Sequence, residues 1–357
     1  IVYGNLAVIC GNDQKDESIQ LLMKAIKIKP NYFLGYYNLG NIYLEEKKIK
    51  EACEAFQKAI DINPNHIETY INLGNTYLMN DDSKKAINTY QEAININPSY
   101  VDAYINIGNA HKKEGDLREA INYYKKATHI DPNRLEVYVN ISLTELLRSN
   151  YDEGWKHYEL RSQTKVPTLP HVIPQTHICK NLDSSKSKKL LIVSEQGLGD
   201  TIQYMRYIQT VREKGFDVYF CPQSQLHELI IESKIDMKPL TVKEAKSFSG
   251  GEWISLLSLP KYLQITPINP ITNSPYLKSN RELNKKWKDI LSQETKPIIG
   301  INWQGNPNVE KHYLKGRSFP LHTFSKLIEQ NDITLLSLQK GYGSEQMRQC
   351  SFKDSFV

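Results

Sequence analysis

Tyr36-Tyr37-Asn38-Leu39-Gly40-Asn41-Ile42-Tyr43 opens a unit that closes at Asn63-Pro64, and the chain then writes the same unit again. Gly40, Gly74 and Gly108 stand 34 residues apart, as do Ala52, Ala86 and Ala120, the aromatics Phe56, Tyr90 and Tyr124, then Ala59, Ala93 and Ala127, and finally Pro30, Pro64, Pro98 and Pro132. A fixed period of this length signals stacked supersecondary units, and it outranks any element-by-element reading. Within one unit Tyr36, Leu39, Gly40 and Tyr43 fall at i, i+3, i+4 and i+7, one helical stripe that must be buried. Ala52, Phe56, Ala59 and Ile60 fall at similar spacing, i, i+4, i+7 and i+8, on a second helix. Gly40 and Ala52 are small where two helix backbones approach, and Asn63-Pro64 stops the second helix. A single hairpin of this kind cannot bury both its faces, so the units must stack.

On these residues the chain resembles the tetratricopeptide repeat family, with three full units over 33–66, 67–100 and 101–134. The flanking units depart from the pattern as end units do. Residues 1–32 keep Leu22, Ala25 and Pro30 but carry Leu6 at the glycine position. Residues 135–168 keep Tyr138 and Tyr158 but replace the glycine with Ser142 and the alanine with Gly154. The expected array is therefore an α-solenoid over 1–168. Its last segment, Tyr151 to Arg161, resembles the element that ends such repeats in bacterial proteins joining them to a glycosyltransferase domain.

A second periodicity lies on another face. Asn38, Asn72, Asn106 and Asn140 recur at the same step, with Asn41, Asn75 and Asn109 three residues further on. An amide side chain both donates and accepts, so a column of them can pair with the backbone of an extended peptide whatever its side chains. The competing reading is that each Asn bonds within its own repeat. The repeats of protein O-GlcNAc transferases look similar and carry such a ladder, which implies a protein or peptide partner.

Residues 169–189 lose all periodicity and gain Pro, Ser and Lys, which reads as a linker. Leu190-Leu191-Ile192-Val193 then forms a buried strand that enters the turn Ser194-Glu195-Gln196-Gly197-Leu198-Gly199-Asp200. Gly197 and Gly199 supply backbone freedom and room for another molecule, and Asp200 stands where a helix begins. That helix is expected to run to about Lys214. A strand over Val218–Cys221, a helix over Gln223–Ser233 and a strand from Trp253 follow. Arg281–Gln293 reads as a connecting helix. A second strand-first unit runs through Pro297–Trp303, a helix over Pro320–Gln330 and a strand over Ile333–Leu338. Alternating strands and helices imply parallel sheets, here two Rossmann-like domains over 190–280 and 281–357 in a GT-B arrangement, the second incomplete.

Val193 to Gln203, Trp303-Gln304-Gly305-Asn306-Pro307, Gly316 to Leu321 and Ser337 to Gly341 together resemble glycosyltransferase family 9, the heptosyltransferase-like group. The resemblance implies sugar transfer from a nucleotide-sugar donor, with Asp200 as the base, Gly197, Gly199 and Gln203 in the acceptor-side loop, and Trp303, Gly305, Arg317 and Lys340 on the donor. Arg317 matches a basic residue contacting the donor diphosphate, a role for which a guanidinium fork is suited; Lys311 and Lys315 are further candidates. It implies no metal and no cofactor: the chain has no Asp-x-Asp sequence and no His/Cys cluster. Helix capping by Asp200 and a solvated Arg317 are the plainer alternatives. Nothing after Lys340 matches the family's distal donor motif, so this chain is expected to be incomplete, to leave a sheet edge unpaired and not to catalyse transfer by itself. A nicotinamide oxidoreductase is disfavoured by the missing third glycine. An interaction scaffold with a degenerate transferase part is the rival function.

Bulk properties set the remaining bounds. With 357 residues, two or three domains are the prior. A net charge of +5, from 45 basic and 40 acidic residues, is no electrostatic footprint for nucleic acid. Five irregularly spaced cysteines suit a reducing compartment and argue against a disulfide framework. No apolar run approaches the roughly 20 residues of a membrane span and no leader-like segment opens at Ile1, which gives the expectation of a cytoplasmic protein whose natural start lies upstream.

Overall fold

The computed structural model describes residues 15–165, 169–182, 189–195, 197–266, 268–270, 275–305 and 318–357. It divides into two compact units, Ile1–His227 with Lys238–Ser274, and Glu228–Met237 with Pro275–Val357.

The first unit begins with the helical array: α1 (Lys15–Ile28), α2 (Phe33–Glu45), α3 (Ile49–Ile62), α4 (Ile67–Met79), α5 (Ser83–Ile96), α6 (Val101–Lys113), α7 (Leu117–Ile130), α8 (Leu135–Leu147) and α9 (Tyr151–Lys156). Phe56, Tyr90 and Tyr124 are fully buried, each with its ring against the glycine of its own repeat, so that a Cβ at Gly40 would lie 2.6 Å from Phe56 and one at Gly108 2.5 Å from Tyr124. Space, not backbone conformation, is what these glycines supply. Conformation matters instead at the turn between paired helices, where Lys47, Asp81, Gly115 and Ser149 all take positive φ; only one copy has the residue suited to it. Asp82 and Asp116 cap α5 and α7 by accepting from Lys85 N and Glu119 N. In the final unit the small positions are exchanged: Ser142 donates its hydroxyl to the Gly154 carbonyl.

The array runs into a turn of 3₁₀ helix, Tyr158–Ser162, and then into a parallel sheet. Strands β1 (Lys189–Val193), β2 (Asp217–Cys221) and β3 (Glu252–Ser255) lie in the order β2-β1-β3, with Leu191 opposite both Tyr219 and Trp253. Leu190 to Val193 are wholly buried, as expected for a central strand covered on both faces. The helix expected to reach Lys214 is two, α10 (Leu198–Tyr204) and α11 (Tyr207–Glu213); Met205 at the break and Ile208 and Val211 beyond it are all buried, so the apolar period does not betray it. The described part of the segment read as a linker is a strap on the sheet. Val172 and Cys179 are buried, Trp253 N donates to His177 O at 2.9 Å, and Ile178 bridges to Trp253 in parallel. Helix α12 (His227–Glu232) belongs to the second unit from Glu228 on, and α13 (Val242–Lys246) and α14 (Leu259–Tyr262) complete the connections of the first.

In the second unit, α15 (Arg281–Leu291) precedes β4 (Ile298–Ile301), α16 (Ser325–Glu329) and β5 (Thr334–Ser337). The two strands pair in parallel, Ile299 opposite Leu335, over a core of Ile301, Trp303, Leu321 and Leu335. The edge of β5, expected to be bare, is met by Phe356 through a bridge to Leu335 and by Val357 N, which donates to Leu335 O at 2.9 Å. Two short parallel sheets are therefore present; the described strands do not establish a complete GT-B architecture.

Candidate functional site

The two asparagine columns separate. In the second column Asn75 Oδ1 accepts the Tyr90 hydroxyl at 2.7 Å and Asn109 Oδ1 accepts that of Tyr124 at 2.8 Å, so these amides hold their own repeats together. Burial keeps both tyrosines protonated by pushing their hydroxyls well above the usual range. The first repeat has Phe56 at this place, without a hydroxyl, and there Asn41 Oδ1 accepts instead from Asn72 of the next repeat at 2.8 Å. Asn72 also donates to the Tyr37 hydroxyl at 3.3 Å. The first column is thus consumed at one position only. Among the described residues, the half-buried side chains of Asn38, Asn106 and Asn140 make no hydrogen bond. Leu34 lies one turn before Asn38, and Leu143 and Leu147 lie at i+3 and i+7 from Asn140; all three are exposed. Free amides flanked by exposed leucines make a surface suited to backbone and apolar side chains together.

At the carboxyl end of β1 the turn is clamped from two sides. Gln223 Nε2 donates to Glu195 O at 2.5 Å, and its Oε1 accepts the Thr201 hydroxyl at 2.9 Å. Glu195, 3 % exposed, accepts from Arg161 Nη2 at 2.8 Å and from the Ser255 hydroxyl, and Arg161 Nη2 also donates to Ser258 Oγ at 2.9 Å. The strand order makes the gap between β1 and β3 the switch point, where open α/β sheets bind ligands. Here Arg161, from the turn that ends the array, fills it.

The glycines of the turn do not use the backbone freedom expected of them. Gly197 has φ −87 and ψ 126, an ordinary extended conformation, and Gly199 is not in the left-handed region either. A Cβ at Gly197 would meet only the exposed Asp200 carboxylate, which can rotate away, and one at Gly199 would meet nothing within 4 Å. Asp200 stands in the first turn of α10, whose N-cap is Gly197, and makes no capping bond; its carboxylate is exposed, as is Gln203. A cleft of about 260 Å³ beside β2 is lined by His171, Gln223, Ser224, His227 and Thr241. His171 Nδ1 lies 2.8 Å from Ser194 O, which assigns the proton to that nitrogen, and Nε2 lies 3.5 Å from Cys221 Sγ. This Cys/His pair is no activated nucleophile, because burial pushes the Cys221 thiol up to about 12.

In the second unit Trp303, expected on the donor, is a core residue, 1 % exposed, with its indole N–H donated to Gly343 O at 3.0 Å. Gly305 N donates to Ser318 Oγ at 2.9 Å, and Lys340 is exposed. Arg317, Lys311 and Lys315 lie outside the described residues, as do Gln196, Asn306, Pro307 and Leu6. A residue quoted in a motif but given no role organises this end. Gln339 Oε1 accepts from Trp303 N at 3.1 Å and Gln304 N at 2.9 Å, and its Nε2 donates to Gln304 O at 3.0 Å. Gln339 stands two residues past β5 and clamps the loop two residues past β4. Gln223 stands two residues past β2 and clamps the loop two residues past β1. The two sheets share this device, although their sequences show little in common.

Family models of the tetratricopeptide repeat match residues 33–99 and 101–134, and a TPR-repeat model matches 13–47. The helical array is built of tetratricopeptide repeats. Among solved structures, a crystal structure of MamA is 28% identical, covering 41% of this chain and 86% of that one, with a TM-score of 0.39. A second MamA structure is 25% identical over 47% of this chain and 97% of that one, TM-score 0.42. YrrB, described as a TPR protein with an unusual peptide-binding site, is 23% identical over 44% of this chain and 82% of that one, TM-score 0.39. No curated protein matches. Among the described residues no helix is long and apolar enough to cross a membrane.

Proposed function

We propose that the tetratricopeptide array binds an extended peptide segment of a partner protein through the amides of Asn38, Asn106 and Asn140. The observation that carries this reading is the division between columns: Asn75 and Asn109 have their oxygens held by tyrosines, and Asn72 has its NH2 held by Asn41, while these three amides make no side-chain hydrogen bond among the described residues. Successive helices of the face, spaced about 9 Å apart, put Asn38 and Asn140 about 27 Å from each other, a span of about eight extended residues. The exposed leucines at both ends favour apolar side chains near the ends of that segment.

The test uses a library of ten-residue peptides of random sequence and the whole chain, with Asn38, Asn106 and Asn140 all replaced by Ala. Three hydrogen bonds of about 1 kcal/mol each correspond to a loss on the order of 100-fold in affinity for the captured peptides. The three side chains are half-buried and make no hydrogen bond among the described residues, so each loss should cost no more than about 1 kcal/mol and a cooperative melt should persist in the triple variant. Undiminished capture by the triple variant sinks the proposal.

The α/β units support a second reading, a GT-B sugar transferase to which the array presents its partner. The exposed Asp200 carboxylate at the end of the central strand favours it. Sugar release from a panel of nucleotide sugars is the measurement: with Asp200 as the base, Asp200→Asn lowers turnover by about 100- to 10,000-fold. Release indifferent to that change, or none from any donor, leaves the scaffold reading alone.

A further inference from the structure

Helix α15 is the one long helix among those described that buries none of its residues. Asn280 fixes its start, Oδ1 accepting from Glu282 N at 2.9 Å and Leu283 N at 3.1 Å. At 100° per residue, Leu283, Trp287, Ile290 and Leu291 fall into one sector about 100° wide that contains no polar side chain. A helix of a globular domain buries such a stripe, as α3 does with Ala52, Phe56 and Ala59. Here Leu283 is 50% and Trp287 45% exposed.

The charges around that sector are ordered. Lys286 borders it on one side, and Lys288, beyond Asn284, on the other. Arg281 and Lys285 stand on the polar pole, where the acids Glu282 and Asp289 also lie, far from the apolar stripe. None of the four cations has an ion-pair partner among the described residues. We propose that α15 is a membrane-surface helix that lies in the headgroup layer of an anionic bilayer, its apolar sector toward the acyl chains and its flanking lysines on lipid phosphate and carboxylate groups. An apolar face bordered by lysines, with a Trp within it and the acids turned away, is the pattern of an interfacial helix. Its eleven residues reach only about 16 Å, too short to cross, so it lies along the surface. A second copy is the poorer occupant, because face-to-face pairing of two such helices sets the bordering lysines of one against those of the other.

The experiment is co-sedimentation of the whole chain with vesicles of phosphatidylcholine alone and of phosphatidylcholine containing about a third phosphatidylserine. Binding is expected to the anionic vesicles only, weakening with salt. Lys286→Gln with Lys288→Gln should lose roughly 30-fold, and Leu283→Ser with Trp287→Ser should abolish it. These side chains are exposed, so unchanged circular-dichroism melts are expected for both variants and separate lost binding from lost fold. No binding to anionic vesicles, binding insensitive to both variants, or self-association abolished by Trp287→Ser without vesicle binding would each overturn the proposal.

Discussion

The array and the first parallel sheet solve the same problem, burying apolar surface without stranding polar groups, in opposite ways. In the array each contact is made several times at one step, so the role of a residue is found by comparing its copies. Phe56, Tyr90 and Tyr124 fill one place, and the single missing hydroxyl explains why Asn41 pairs differently from Asn75 and Asn109. In the sheet each contact is made once and joins distant parts of the chain, as when Arg161 reaches Glu195. Periodic packing distributes a loss over similar neighbours; singular contacts concentrate it.

The largest effect should therefore come from Arg161, which is 8 % exposed and stacks on Tyr158 with its guanidinium carbon 4.0 Å from the ring centre. Arg161→Ala leaves the Glu195 carboxylate buried without its cation, which costs about 3–5 kcal/mol. Urea unfolding should show the sheet melting early while array helicity persists. The double variant Arg161→Met with Glu195→Met removes the buried pair and leaves only Glu159, 3.3 Å from Arg161 Nη1, without its cation; it should recover part of the loss, since apolar replacement of a buried pair is often neutral. Equal losses in single and double variants would show that shape, not charge, governs this joint.

A middle-sized effect separates two glycines. Gly74→Ala drives a methyl into the buried Tyr90 ring, and overpacking of this kind costs about 1–3 kcal/mol, more than the roughly 1 kcal/mol that Ala gains over Gly as a helix former. Gly199→Ala in α10 meets nothing within 4 Å and should be neutral or stabilising by up to about 1 kcal/mol. Thermal melts of both variants measure this; destabilisation by Gly199→Ala would restore the conformational role expected of that glycine.

What was legible followed the same division. The 34-residue step carried the array, and four consecutive apolar residues carried β1, because both signals are local. The break between α10 and α11 is invisible because Met205, at the end of α10, and Ile208 and Val211, in α11, keep the apolar period through it. The segment at 169–182 read as a linker because only scattered residues, Val172 and Cys179 among them, enter the core. Trp303 is expected on the donor only through the resemblance of its motif; its indole turns inward to a carbonyl that no spacing predicts. Gln223 and Gln339 did leave a signal, each two residues after a strand, but it has meaning only once the strands are aligned in space. The asparagine columns were legible as columns, and the tyrosine opposite Asn75 and Asn109 was already in the sequence as the clue to their structural role.

The smallest effect tests that clue. Tyr90→Phe makes the second full repeat like the first, where a ring without a hydroxyl packs well, so its cost is one hydrogen bond, about 0.5–1.5 kcal/mol. Asn75→Ala is the harsher half of the pair, because it leaves the hydroxyl of the fully buried Tyr90 without an acceptor, about 1–3 kcal/mol. Removing both should cost less than the sum, with a coupling of at least about 0.5 kcal/mol. In the first repeat Phe56→Tyr adds a hydroxyl whose natural acceptor, Asn41 Oδ1, already holds Asn72. The new hydroxyl must then share Asn41 Oδ1 with Asn72 or displace it, so the variant should gain less than the full bond unless Asn72 is freed to join Asn38, Asn106 and Asn140. Chemical denaturation of the four variants gives the coupling. Strict additivity at Tyr90 and Asn75, or clear stabilisation by Phe56→Tyr with peptide capture unchanged, would break the argument that one missing hydroxyl sets which amides are free.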